Sequence, residues 1–176
     1  MLTEYVRDHA FTIAWFGLMA FVWFGWAQED PPHSWRWKLA VGAGVGVIIA
    51  GLFGYEAAQR WDTATALDGH YVLFGSIVLV EVLVAALGCL LLWLRQHSRW
   101  MAWWVAFVVA LHLLPLAWLL QDWSLLPLAV IQILLLFWLA YRLRAATTST
   151  SQLVGPVMAG TFLLFAAVSI VIFVIA

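Results

Sequence analysis

The chain has 176 residues, 66% of them hydrophobic and 10% charged, with a net charge of −1 and a mean hydropathy of +1.00. Soluble domains carry about 45–50% apolar and about 25% charged residues, so this composition suits lipid rather than water. The charge excludes a basic nucleic-acid-binding surface, and the lone cysteine, Cys89, excludes both a disulfide framework and a cysteine-based metal site.

Six apolar segments predict an all-α integral membrane protein, a single transmembrane domain built as a bundle of six helices with short loops. They run at about 10–27, 37–56, 71–94, 101–120, 124–142 and 154–176. Each is close to the ~20 residues that cross a ~30 Å hydrocarbon core. The first segment lacks the basic start of a signal peptide and is rich in bulky aromatics, so it reads as a retained helix. It ends at Gln28-Glu29-Asp30-Pro31-Pro32, where neither proline can continue a helix. The second carries Gly42, Gly46, Ala50 and Gly54 at every fourth position, one stripe of small residues along which a neighbouring backbone can pack closely. A stretch from about Ala57 to His70 is the longest polar connection. The third and fourth segments are joined by about six residues, which makes them antiparallel neighbours. Pro115 lies inside the fourth and predicts a kink with the Leu111 carbonyl freed. Pro127 falls in the first turn of the fifth, where its missing N–H is harmless.

Lysine and arginine set the expected orientation. Arg36, Lys38, Arg95, Arg99, Arg142 and Arg144 fall in the loops after the first, third and fifth segments, whereas the opposite side holds only Arg7 and Arg60. Six against two predicts a multi-pass protein of a plasma or inner membrane, with the basic loops in the cytoplasm and both termini outside. The tryptophans follow the same frame. Trp26, Trp35, Trp37, Trp93, Trp100, Trp103, Trp104 and Trp138 fall near the predicted inner ends, and Trp61, Trp118 and Trp123 near the outer ends, as an aromatic belt at the headgroups. The outer polar residues Arg7, Asp8, His9, Glu56, Arg60, Asp62 and His70 read as a solvated rim.

Three polar side chains interrupt the middles of spans: Glu81, His112 and Gln132. Charge at a helix centre costs roughly 2.5–3.5 kcal/mol on insertion scales, so such residues are rare and by default point to function. Glu81 lies thirteen residues before Leu94 and His112 eleven beyond Met101, a rise of ~20 Å and ~17 Å from the shared loop at ~1.5 Å per residue. Similar depth on antiparallel neighbours predicts a Glu81–His112 hydrogen bond, with Gln132 as a third member of the group.

The sequence carries no nucleophile elbow, P-loop or metal-ligand spacing, so no catalytic residue, cofactor or metal is predicted. The leading expectation is a transporter or channel-type subunit that binds a proton, cation or small polar ligand at the Glu81–His112 pair. The alternative is a non-catalytic assembly subunit, in which the polar trio fixes helix register and the glycine stripe meets a second copy or a partner membrane protein. A lipid-modifying enzyme comes third.

Overall fold

The computed structural model describes residues 5–175. Among them there are six long helices and no strand: α1 (Val6–Trp26), α2 (Arg36–Gln59), α3 (Tyr71–Leu94), α4 (Met101–Leu119), α5 (Leu125–Leu143) and α6 (Ser151–Ile175). Single 3-10 turns at His33–Trp35 and Ser98–Trp100 lead into α2 and α4. All six helices are long and apolar enough to cross a membrane. The expected last residue of the sixth span, Ala176, lies outside the described residues.

Two helix starts differ from expectation, for related reasons. α1 begins at Val6 rather than near residue 10, because Asp8 and His9 are packed against the chain instead of facing water. α6 begins at Ser151, where the hydroxyl donates to the Glu29 carboxylate at 2.6 Å. That carboxylate sits beside a helix N-terminus, whose partial positive charge favours an anion. α3 and α4 both stop in the same way. Gln96 and Gln121 adopt left-handed backbone, with φ of 57° and 51°. The next N–H then turns back, His97 to Leu92 at 2.7 Å and Asp122 to Ala117 at 3.0 Å, which satisfies the last carbonyls as a Schellman cap does.

The helices are not equal partners. The buried core is drawn from α1, α4, α5 and α6, with Phe16, Ala110, Leu128, Leu136, Met158 and Phe162 among its members. α2 lies along α1, and α3 lies chiefly along α4. No residue of α3 is buried, and its surface is almost wholly apolar, as suits a helix facing lipid rather than water.

The α1–α2 seam is close because of facing glycines. A Cβ on Gly46 would stand 2.6 Å from the Gly17 carbonyl oxygen, and one on Gly17 would stand 2.7 Å from that of Gly46. Gly42 likewise receives the Phe24 ring. The small-residue stripe therefore works as a packing face through Gly42, Gly46 and Ala50, the last lying against Gly17. It does not extend to Gly54, which has open space around it because a hollow of about 310 Å³, lined by Phe11, Ala14 and Trp15 of α1, separates the helices there. A similar approach, not anticipated from the sequence, joins α6 to α1 at Gly155, against the Trp23 carbonyl and Ala27.

The connections gather at two ends. At one, Arg7 reaches the Trp61 carbonyl at 2.5 Å, Asp8 accepts from the Ala66 N–H at 2.7 Å and from the Thr65 hydroxyl at 2.8 Å, and His9 meets Ser169 at 3.1 Å. At the other, Glu29 accepts from Ser149 and Ser151, and Arg99 donates to the carbonyls of Leu143 and Ala146 at the end of α5. The loops after α1, α3 and α5 thus share one end, and the start of α1, the α2–α3 loop and the end of α6 share the other.

Candidate functional site

Glu81 and His112 lie on facing helices, and the structure brings them together. The His112 Nδ1 stands 3.2 Å from the Glu81 Oε2, with the two side chains 10% and 20% exposed. The seam that holds them is fixed two turns away by a second contact. The Trp104 indole occupies the space left by the missing side chain of Gly88 and donates its Nε1–H to the Val84 carbonyl at 3.2 Å. Residues 81 and 88 on α3 and 112 and 104 on α4 run in opposite order, as antiparallel helices require. The remaining polar atoms, the His112 Nε2 and the Glu81 Oε1, have no hydrogen-bond partner among the described residues.

The pair forms a septum between two hollows. On one side is a cavity of about 260 Å³ walled by α1, α3 and α4, with single contributions from α5 and α6. Phe11, Trp15, Phe16, Phe74 and Phe162 supply its aromatic surface, and Thr12 is its third polar side chain. On the outer side of the α3–α4 seam is an open groove of about 250 Å³, lined by Val84, Phe107, Leu111 and Pro115 among others. Among the described residues Glu81 and His112 are the only titratable side chains on either lining. Pro115 does not break α4, which runs on as helix to Leu119, but its missing N–H leaves the Leu111 carbonyl without its usual donor beside the groove.

Gln132 does not join this group. It is fully buried between α5 and α6, where its Nε2 donates to the Thr161 hydroxyl at 2.9 Å and its Oε1 has no partner. Its depth matches the other two, but the face of α5 that carries it turns toward α6, so depth alone misleads. The expected trio is therefore a pair on α3–α4 and a separate amide–hydroxyl contact on α5–α6.

The outer polar residues also divide. Glu56 and Arg60 form an i, i+4 ion pair at the end of α2. Asp8 and His9, by contrast, are 9% and 7% exposed, so the rim expected from sequence is here a buried latch that ties the α2–α3 loop to α1. Arg7 completes it, stacked on Trp61 at 5.2 Å. The sequence signal for this was present in Thr65, a hydroxyl with a small neighbour in an otherwise charged loop, but nothing in its spacing identified Asp8 as its acceptor.

The tryptophans split as well. Trp37, Trp61, Trp93, Trp118, Trp123 and Trp138 are exposed near helix ends. Trp103 and Trp104 instead turn into seams, Trp103 donating to the Leu136 carbonyl at 2.7 Å and stacking on Phe107. With Trp100, Arg95 and Gly88 they wall a wider hollow of about 610 Å³ near the end where the loops after α1, α3 and α5 meet.

Among the described residues no three His, Cys, Asp or Glu side chains converge in a way that could hold a metal ion. No protein-family model, no curated protein and no solved structure matches this chain.

Proposed function

We propose that this is a small multi-pass membrane protein that binds a proton, or a small polar group, at the Glu81–His112 pair and serves as a transporter or coupling subunit. The observation that carries this is the pair's setting. A carboxylate and an imidazole meet at 3.2 Å on the wall of a 260 Å³ cavity, inside helices long enough to span a bilayer. A staple with no other role would be packed dry, as Gln132 is, and would not face open volume with two polar atoms unused. The cavity walls are otherwise almost wholly apolar, which favours protons and neutral groups over a hydrated cation and argues against a continuous ion channel.

Two groups this close titrate together, so their protonation belongs to the pair. Infrared titration of the side-chain carboxyl bands in purified protein tests this directly. Glu81→Gln should remove one titrating band and His112→Ala should move its midpoint. In liposomes containing a pH-sensitive dye, the parent should pass protons down a pH gradient and Glu81→Gln should not. If Glu81→Gln matches the parent in both measurements, the pair is structural and the assembly-subunit role replaces this one.

The lysine and arginine count supports an orientation in which the end holding Glu29, Arg99 and Ser149 is cytoplasmic. A reporter active only outside the cytoplasm should then work when fused at the C-terminus and fail near Gln96. The reverse pattern would overturn the orientation without touching the site.

A further inference from the structure

The same cavity points to a class of ligand, and this step rests on the pair being a binding site rather than a staple. Three polar groups face it with hydrogen-bonding capacity that the protein leaves unused: the Nε2 of His112, the Oε1 of Glu81 and the Oγ1 of Thr12. Two of these side chains are about nine-tenths buried, His112 at 10% exposed and Thr12 at 8%. Inside a bilayer no bulk water satisfies such groups, and an unmade hydrogen bond there is costly. A molecule with ring oxygens would accept from the Thr12 hydroxyl and from the His112 Nε2–H, the ring nitrogen left free when Nδ1 faces the Glu81 carboxyl.

The rest of the lining limits what that molecule is. Apart from these three groups the walls are hydrocarbon and aromatic, with no second charge to balance an ion. A carboxylate would face Glu81, and a hydrated metal cation would have one carboxylate and no ring of carbonyls to replace its water. A neutral ligand avoids both costs. The volume of about 260 Å³ lies just under the roughly 300–1,000 Å³ of sites for drug-sized ligands, so it takes a single-ring head but not a whole lipid. Phe11, Trp15 and Phe74 offer flat surfaces to such a ring.

Access follows from the helix arrangement. α3 is held chiefly by α4, and there is no packed α1–α3 seam. Phe11 and Trp15 on α1, at the mouth of the gap, are 48% and 47% exposed. A lipid-soluble molecule can enter sideways from the bilayer and leave an apolar tail trailing in it.

We propose that the cavity between α1, α3 and α4 binds a neutral, lipid-soluble molecule whose single-ring head carries carbonyl or hydroxyl oxygens, taken up laterally between α1 and α3. The test uses the full chain in nanodiscs and four probes with the same tail: a decyl benzoquinone, decanoate, decyltrimethylammonium and decane. Bound probe per protein is counted by mass spectrometry after washing, with empty nanodiscs as the partition blank. The quinone should saturate near one per chain and bind most tightly of the four. Losing one hydrogen bond to the head should weaken it by about tenfold in His112→Leu. Thr12→Val, which keeps the shape, should weaken it less, and it covers the case in which His112→Leu fails to fold.

Equal quinone retention by the parent and both variants, no saturation above the blank, or tighter binding of either charged probe would overturn the proposal. These outcomes are separable from failure of the proton-binding role. A quinone that saturates in a protein whose carboxyl titration ignores Glu81→Gln would keep the ligand and lose the coupling. A normal coupled titration without quinone binding would do the opposite.

Discussion

The facing glycines of α1 and α2 allow a quantitative test of what holds the helices together. Replacing Gly46 by alanine adds one methyl that would stand 2.6 Å from the Gly17 oxygen and 3.0 Å from the Phe21 nitrogen, both backbone atoms that cannot rotate away. Restoring ordinary contact at 3.4 Å requires the seam to open locally by about 0.8 Å. Overpacking of this kind typically costs ~1–3 kcal/mol. Against it, alanine is favoured over glycine inside a helix by roughly 0.8–1.0 kcal/mol. Gly46→Ala should therefore range from about neutral to a loss of ~2 kcal/mol. Gly54→Ala and Gly44→Ala receive the same propensity gain and meet nothing within 4 Å, so both should be stabilised. Thermal unfolding of the three variants in detergent, followed by helical circular dichroism, separates them. At about 2–4 °C per kcal/mol for a chain of this size, the ~1–3 kcal/mol difference spans several degrees. Gly17→Ala should resemble Gly46→Ala, and the double variant should lose less than the sum, because the first methyl already opens the seam for the second. If Gly46→Ala melts with Gly54→Ala, the close approach does not govern stability.

Two further outcomes follow from buried polar groups. Asp8→Ala strands the Ala66 N–H and the Thr65 hydroxyl and should cost ~1–3 kcal/mol; it should also release the α2–α3 loop to limited proteolysis near Trp61, and an uncut loop would mean the latch is not what holds it. Gln132→Leu removes an amide oxygen that has no partner, while Thr161 keeps its bond to the Met158 carbonyl at 2.8 Å. Its melting temperature should be unchanged or raised, and a loss above ~2 kcal/mol would show that the Gln132–Thr161 contact matters more than its geometry implies.

Much of this architecture was readable from the chain because membrane helices obey one-dimensional rules. Length and apolarity located the spans within a few residues, and counting rise from a short loop placed Glu81 and His112 at one depth on neighbouring helices. Azimuth was harder. A helix in lipid is apolar all round, so little in the pattern says which side of α5 faces α6, and Gln132 could not be separated from the pair. The glycine stripe showed its own face but not its partner, since Gly17 lies between the bulky Phe16 and Leu18 in α1 and Gly155 precedes a proline in α6. Polarity misled at Arg7, Asp8 and His9, where charged residues next to an apolar segment look solvated. Their contacts are to Trp61, Thr65, Ala66 and Ser169, positions far along the chain that no local pattern connects to them.

The place of α6 in the packing bears on how the molecule assembles. α1 and α2 are joined by their own glycines, and α3, α4 and α5 by successive neighbouring contacts, all between segments adjacent in sequence. α6 is the helix that packs against both groups, on α1 through Gly155 and on α4 and α5 from its other side. During synthesis the two groups can form as independent hairpin-like units as they leave the ribosome, since local contacts close fast. Their union waits for a helix made after both. Until then the α1 face bearing Ala10, Ile13 and Phe16 stays open to lipid, and the wall of the Glu81–His112 cavity that α1 supplies is not yet fixed. The site thus depends on the most long-range packing in the fold, so damage to α6 far from either residue should loosen the cavity that α1 and α4 enclose.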